Sequence, residues 1–154
     1  MVEKGRRLAF DYGLVRIGVA VSDPEGLFVF PVTSLDSSDW EKEFSELIAE
    51  YHPTAIYIGY PVTLTGNVGS AANLARDFAI EVSEKFPGPI RLIDERLSTK
   101  SAALLLRESG KSEREARKEI DAVAATVLLE QALITEKNTG LLAGSEISGG
   151  VEAC

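Results

Sequence analysis

Three carboxylates stand where apolar stretches meet polar residues: Asp11 in LAFDYGLVRIGVAVSD, Glu95 in LIDERLST and Asp121 in KEIDAVAATVLLEQ. Such positions predict side chains held at the edge of a hydrophobic core. If the fold gathers them, their charges repel at low effective dielectric, and a shared divalent cation makes the cluster tolerable. The chemistry that such a cluster supports is metal-assisted cleavage of a phosphodiester bond.

The rest of the donor inventory narrows the metal. Cys154 is the only cysteine and His52 the only histidine. No internal disulfide, zinc cluster or thiol nucleophile can be built from one thiol, and imidazole-rich metal sites are excluded as well. His52 lies in YHPT, where a helix should stop, and reads as a surface or helix-end residue rather than a catalytic base. Oxygen ligands alone favour Mg²⁺ or Mn²⁺.

Around the three acids the residues leave some choices open. Asp11 closes a strand-like run and precedes Tyr12-Gly13 and Arg16-Ile17-Gly18, where glycines let a backbone or a phosphate come close. It reads either as a rigidly aimed catalytic carboxylate or as a strand-end turn residue. Asp94 and Glu95 are adjacent, so on an extended chain they face opposite ways and one of them should point toward Asp11. Glu95 is the favoured one. Arg96 could contact a phosphate or pair with Asp94. Asp121, on a helix, shares a face with Ala124, Ala125 and Leu128, beside a stripe of Ile120, Val123 and Val127. A charge there calls for a cation, or for a salt bridge to Arg117 or Lys118. The loop IGYPVTLTGNVGSAA carries Thr63, Thr65, Gly66 and Gly69 into a helix start, a weak phosphate-cradle signal without a Walker-type lysine. Arg16 and Arg96 are the candidates for phosphate contacts, with Thr63 and Gly66 in the loop that shapes access.

The elements that must position these residues begin as a β-meander. Residues 7–11, 16–22 and 27–33 read as three short strands, joined by connections so brief that neighbours must be antiparallel. Ser38 with Glu41 offers a capping box, and Trp40, Phe44, Leu47, Ile48 and Tyr51 then recur at helical spacing until His52-Pro53. Residues 55–59 suit a buried strand reached by a crossover, hence parallel to its neighbour. Ala71, Leu74, Ala75, Phe78, Val82 and Phe86 mark a second helix, and residues 90–93 a last strand. A helix is predicted over 100–108 and another from Ser112, with its capping-box Glu115, to about Thr135. The order β-β-β-α-β-α-β-α is that of the α/β ribonuclease H-like fold, with a mixed five-stranded sheet flanked by helices. Sheets of this kind place ligands at strand ends near the point where strand direction changes.

With 154 residues, 45% hydrophobic and 26% charged, the chain has the size and composition of one globular domain. That domain is expected over residues 1–137, followed by a flexible Gly- and Ser-rich tail over 138–154. No apolar run approaches the roughly 20 residues needed to cross a bilayer, and the start lacks a signal peptide's apolar region, so a cytoplasmic protein is expected. The net charge of −8 argues against a nonspecific nucleic-acid coat. The charge is uneven: residues 91–118 hold eight Lys and Arg against five Asp and Glu, a net of +3 that leaves −11 for the remainder. A basic region beside an acidic metal site suits a phosphate-backbone substrate, and a solvated helix surface accounts for it equally well.

Four motifs in one order, DYGLVRIGVAVSD, IGYPVTLTG, DERLSTKSA and IDAVAATVLLEQAL, make the chain resemble the YqgF family, also called RuvX. These are the pre-16S ribosomal RNA nucleases once called Holliday junction resolvases. The match spans residues 8–133, with every acidic position intact. The resemblance implies a ribonuclease H-like, metal-dependent nuclease with Asp11, Glu95 and Asp121 as ligands. The substrate it implies is the 5′ end of the small-subunit rRNA precursor, with branched DNA as the older alternative. Two Mg²⁺ ions about 3.5–4 Å apart are the expected arrangement. An ATPase of the actin and sugar-kinase type also begins with Asp-x-Gly in a meander, but needs two lobes of domain size. A noncatalytic RNA-binding adaptor on the same fold is the other rival. Oligomeric state and the choice between RNA and DNA have no signature in the sequence.

Overall fold

In the first strand, Leu8, Ala9 and Phe10 are all fully buried, so apolar residues cover both faces of the chain there. This strand, β1 (Arg7–Tyr12), is central in a computed structural model that describes residues 4–60, 70–94 and 113–146. It is followed by β2 (Arg16–Ser22), β3 (Val29–Asp36), α1 (Glu41–Tyr51), β4 (Ala55–Tyr60), α2 (Ser70–Lys85), β5 (Ile90–Asp94), α3 (Glu113–Thr139) and β6 (Ser145–Glu146). The helix expected over 100–108 lies outside the described residues, as does Ser112.

The strands form one mixed sheet in the order β3-β2-β1-β4-β5-β6. β1, β2 and β3 are antiparallel, as their short connections require, while β4 joins β1 and β5 joins β4 in parallel after helical crossovers. The α/β expectation holds, with six strands rather than five. The sixth pairs with β5 through Arg91 opposite Glu146 and Leu92 opposite Ser145.

Period-two alternation divides the core between two faces. On one, Leu8, Phe10, Val19, Ile56 and Ile58 meet Phe44 and Leu47 of α1 and Phe78 and Val82 of α2. Phe10 packs on Phe44 and Phe78 with ring centroids 5.6 and 6.0 Å apart, and Trp40 packs edge-on to Phe78 at 4.8 Å. On the other, Ala9, Ala20 and Tyr57 meet Ala125, Leu128, Leu129, Ala132 and Leu133 of α3. The small residues on β1 and β2 allow this helix to lie close to the sheet.

Three local expectations differ from the structure. Ser38 does not cap α1: its backbone N–H and its hydroxyl both donate to Asp36 Oδ1, at 2.8 and 2.6 Å. The carboxylate two residues upstream captures Ser38 in an Asx turn, and α1 starts after Trp40 without a side-chain cap. β3 is displaced toward Asp36 because Asp23 Oδ1 accepts the N–H groups of Leu27 and Phe28, which extends the turn that Gly26 makes at φ 71°. Residues 140–146, the described part of the segment after α3, pack against the sheet. Ala143 is buried, its N–H donates to the Tyr57 hydroxyl at 3.1 Å, and its carbonyl accepts Arg91 Nε at 2.8 Å. A two-residue strand held by backbone and by distant side chains needs no hydrophobic period, so the sequence carries no sign of it. His52 ends α1 in the left-handed region at φ 46° and is exposed, the helix-end role its context suggests.

Candidate nuclease site

Asp11 is the next-to-last residue of β1, and backbone pairing places Gly18 of β2 on one side of it and Gly59 of β4 on the other. Gly59 in turn pairs with Ile93 of β5. Residues opposed in this way share a face of the sheet, and Asp11 lies two residues beyond Ala9, on the side that α3 covers. The carboxylate therefore stands in a row cleared of side chains on both flanks.

α3 enters that clearing. A Cβ built on Gly18 would collide with the backbone carbonyl oxygen of Asp121 and lie 3.0 Å from its Cα. With the usual cross-strand spacing of about 4.5–5.5 Å, the Cα atoms of Asp11 and Asp121 lie within about 10 Å of each other. Gly18 is thus the shared neighbour that brings the backbones of Asp11 and Asp121, 110 positions apart in sequence, close to each other. Asp121 shares its helix face with Ala125 and Leu128, which are fully buried against the sheet, while Val123 and Val127 are only half-buried. The buried stripe continues through Leu129, Ala132 and Leu133 instead.

Arg16, the first residue of β2, donates through Nε to Asp121 Oδ2 at 2.6 Å. The expected salt bridge was to Arg117 or Lys118; the described partner of Asp121 is instead Arg16, 105 positions away. The side chains of Arg117 and Lys118 lie outside those described. Arg16 leaves a turn that is fixed at its backbone: Ser37 Oγ donates to the Gly13 carbonyl at 2.6 Å and the Ser37 N–H to the Val15 carbonyl at 3.0 Å.

Glu95, Arg96, Thr63 and Gly66 lie outside the described residues, and so does the Asp94 side chain. Among the described residues, no group of three Asp, Glu, His or Cys stands together as a metal cluster. Asp11 and Asp121, whose backbones do come close, are hard oxygen donors beside a cleared backbone, a donor chemistry that fits a small divalent cation. Gly18 and Gly59 are the positions whose part the sequence shows least directly. A glycine inside an apolar strand pattern, as in RIGVAV and IYIGY, is the signal of close backbone approach.

A second arginine–carboxylate pair lies at the other end of α3. Arg7 holds Glu136 with two nitrogens, at 3.1 and 3.0 Å, and Tyr57 donates its hydroxyl to the same carboxylate. Burial and the Glu136 carboxylate push the Tyr57 phenol far above its ordinary value. Arg7 and Glu136 border a cavity of about 230 Å³ that Lys4, Glu25, Leu133 and Lys137 also line.

The comparisons with known proteins point to one family. Residues 5–135 match the family described as "RuvX: Holliday junction resolvase". A relative from Streptomyces coelicolor named "Putative pre-16S rRNA nuclease" is 40% identical over 143 residues, 90% of this chain and 86% of the relative. One of the same name from Thermobifida fusca is 41% identical over 154 residues, covering 94% and 97%. A structure titled "T. thermophilus RuvC in complex with Holliday junction substrate" superposes with a TM-score of 0.53 at 16% identity, over 88% of this chain and 97% of that one. At that identity the superposition speaks for the fold, which is RuvC-like and so ribonuclease H-like. By the match over most of its length, the chain belongs to the RuvX family.

Proposed function

We propose that this protein is a metal-dependent nuclease that hydrolyses phosphodiester bonds in maturing the 5′ end of pre-16S ribosomal RNA, in the cytoplasm. The observation that carries the reading is the convergence of Asp11 and Asp121 on Gly18. Family membership supports the reaction, and the names of the relatives support the substrate.

In this reading Asp11, Glu95 and Asp121 hold Mg²⁺ or Mn²⁺. Asp11 is aimed by a central strand, so its carboxylate does not have to be ordered when the substrate arrives. Asp121 is fixed by the packing of α3 against Gly18. Glu95 follows Ile93 by two residues, the spacing that returns an extended chain to the same face. When bound, divalent ions in such a site lower the pKa of the attacking water and stabilise the leaving oxygen. The arginines Arg16 and Arg96 supply charge to the phosphate, and the loop bearing Thr63 and Gly66 shapes the approach of the strand. No covalent protein intermediate is required.

The family description favours a second reading, resolution of branched DNA. Purified protein titrated with Mg²⁺ or Mn²⁺ is to be offered a 5′-extended small-subunit rRNA fragment beside a four-way DNA junction. Metal-dependent cleavage of the RNA is expected. Cleavage of the junction alone would move the assignment to DNA. RNA binding without cleavage at any metal concentration would leave a noncatalytic adaptor.

A further inference from the structure

Of the two described arginine–carboxylate pairs on α3, one is sealed and one is not. The Arg7 and Glu136 side chains are 5% and 9% exposed, whereas Arg16 and Asp121 are 30% and 22% exposed. A pair open to water is screened and separates at small cost, unlike a buried one. The open pair is also the one that includes a proposed metal ligand.

Arg16 and a divalent cation make conflicting demands on Asp121. The guanidinium already neutralises the carboxylate through Nε, and a second positive charge near the same two oxygens is repelled by the first. Among the described residues, the contact uses Nε alone, which leaves the Nη donors able to form the planar fork that suits a phosphate. The backbone of the turn before Arg16 is fixed by Ser37, so the exchange requires only side-chain rotation.

We propose that Arg16 is a resident counter-cation for Asp121, exchanged from the carboxylate to a nucleic-acid phosphate as the substrate binds, so that substrate and divalent metal strengthen each other's binding. The inference rests on the nuclease reading and adds a coupling to it. Arg16 then keeps the acidic site tolerable before loading and commits it once a phosphate is present. Thermodynamic reciprocity requires the same factor in both directions.

The test is Mn²⁺ binding followed by electron paramagnetic resonance, on the full-length protein, with and without a cleavage-resistant phosphorothioate oligonucleotide. In the wild type the oligonucleotide should tighten Mn²⁺ binding by about five-fold or more, the lower range of measured couplings. Arg16→Gln should bind Mn²⁺ tighter by a similar factor without oligonucleotide, and the oligonucleotide should add nothing. Arg16→Lys, which keeps the cation, should return toward wild-type affinity and separates loss of charge from disturbed folding. Equal or weaker Mn²⁺ binding by Arg16→Gln, or equal tightening by the oligonucleotide in both proteins, would overturn the inference alone. Wild-type protein that binds no Mn²⁺, or Asp121→Asn that binds it normally, would overturn the nuclease reading and this inference with it.

Discussion

Gly18 and Asp121 are in such close backbone contact that a side chain of one carbon at Gly18 would strike the Asp121 carbonyl oxygen. Gly18→Ala should therefore displace α3 or bend β2, at about 1–3 kcal/mol for overpacking of this kind. The larger effect falls on the site, since misplacing a reacting group by about 1 Å can lower a rate about 100-fold. Urea unfolding and cleavage per folded molecule measure the two effects separately. Unchanged stability with full activity would show that Gly18 does not set the separation of the acids.

The Arg7–Glu136 pair lies outside the proposed site, and its prediction concerns stability. Removing one partner of a buried, hydrogen-bonded pair leaves the other charge stranded, at about 3–5 kcal/mol. Glu136→Ala should lower the unfolding free energy from urea titration by that amount, while its folded fraction keeps the Mn²⁺ affinity of the wild type. A loss below about 1 kcal/mol, as for an exposed pair, would contradict the assignment.

Tyr57 links that pair to the segment after α3, because its hydroxyl donates to Glu136 and accepts the Ala143 N–H. Tyr57→Phe leaves the buried Ala143 N–H without its acceptor, at about 1–3 kcal/mol. Hydrogen exchange at Ala143 should accelerate about ten-fold or more, since 1.4 kcal/mol corresponds to about a factor of ten. Unaltered protection would mean that the Tyr57 hydroxyl does not hold this segment.

In the turn between β2 and β3, the Phe28 N–H holds the Asp23 carboxyl below its ordinary pKa against an opposing desolvation, with smaller lowering contributions from further backbone N–H groups. A depressed folded pKa means that the stabilisation is fully present above the unfolded value of about 4. It is lost as pH falls through the folded value. The gap in melting temperature between wild type and Asp23→Ala should be open at pH 6 and close toward pH 2. A gap independent of pH would show that the ionised carboxylate contributes nothing.

The legible parts of the sequence were those governed by local pattern. Short turns dictated the antiparallel meander, and the helical spacing from Trp40 to Tyr51 marked α1. Fully apolar runs such as AIYIG required a strand buried on both faces. What escaped depends on distant partners. Nothing near Asp121 identifies Arg16, and nothing near Arg7 identifies Glu136, 129 positions later. Ser38 carried a capping signature that Asp36 overrode through a closer hydrogen bond. β6 pairs with β5, and the segment leading to it is held by the distant Tyr57 and Arg91, which no local pattern announces. At the site, RIGVAV and IYIGY signalled close approach without naming what approaches, which at Gly18 is the backbone of Asp121.

Paramagnetic broadening of backbone amide NMR signals by Mn²⁺ tests most directly whether these acids form one metal site. Substoichiometric Mn²⁺ should erase the signals of Asp11, Gly18, Gly59 and Asp121 first, leave those around Arg7 and Glu136 sharp, and lose this pattern in Asp11→Asn. Broadening centred elsewhere, or a pattern that Asp11→Asn leaves unchanged, would contradict the account.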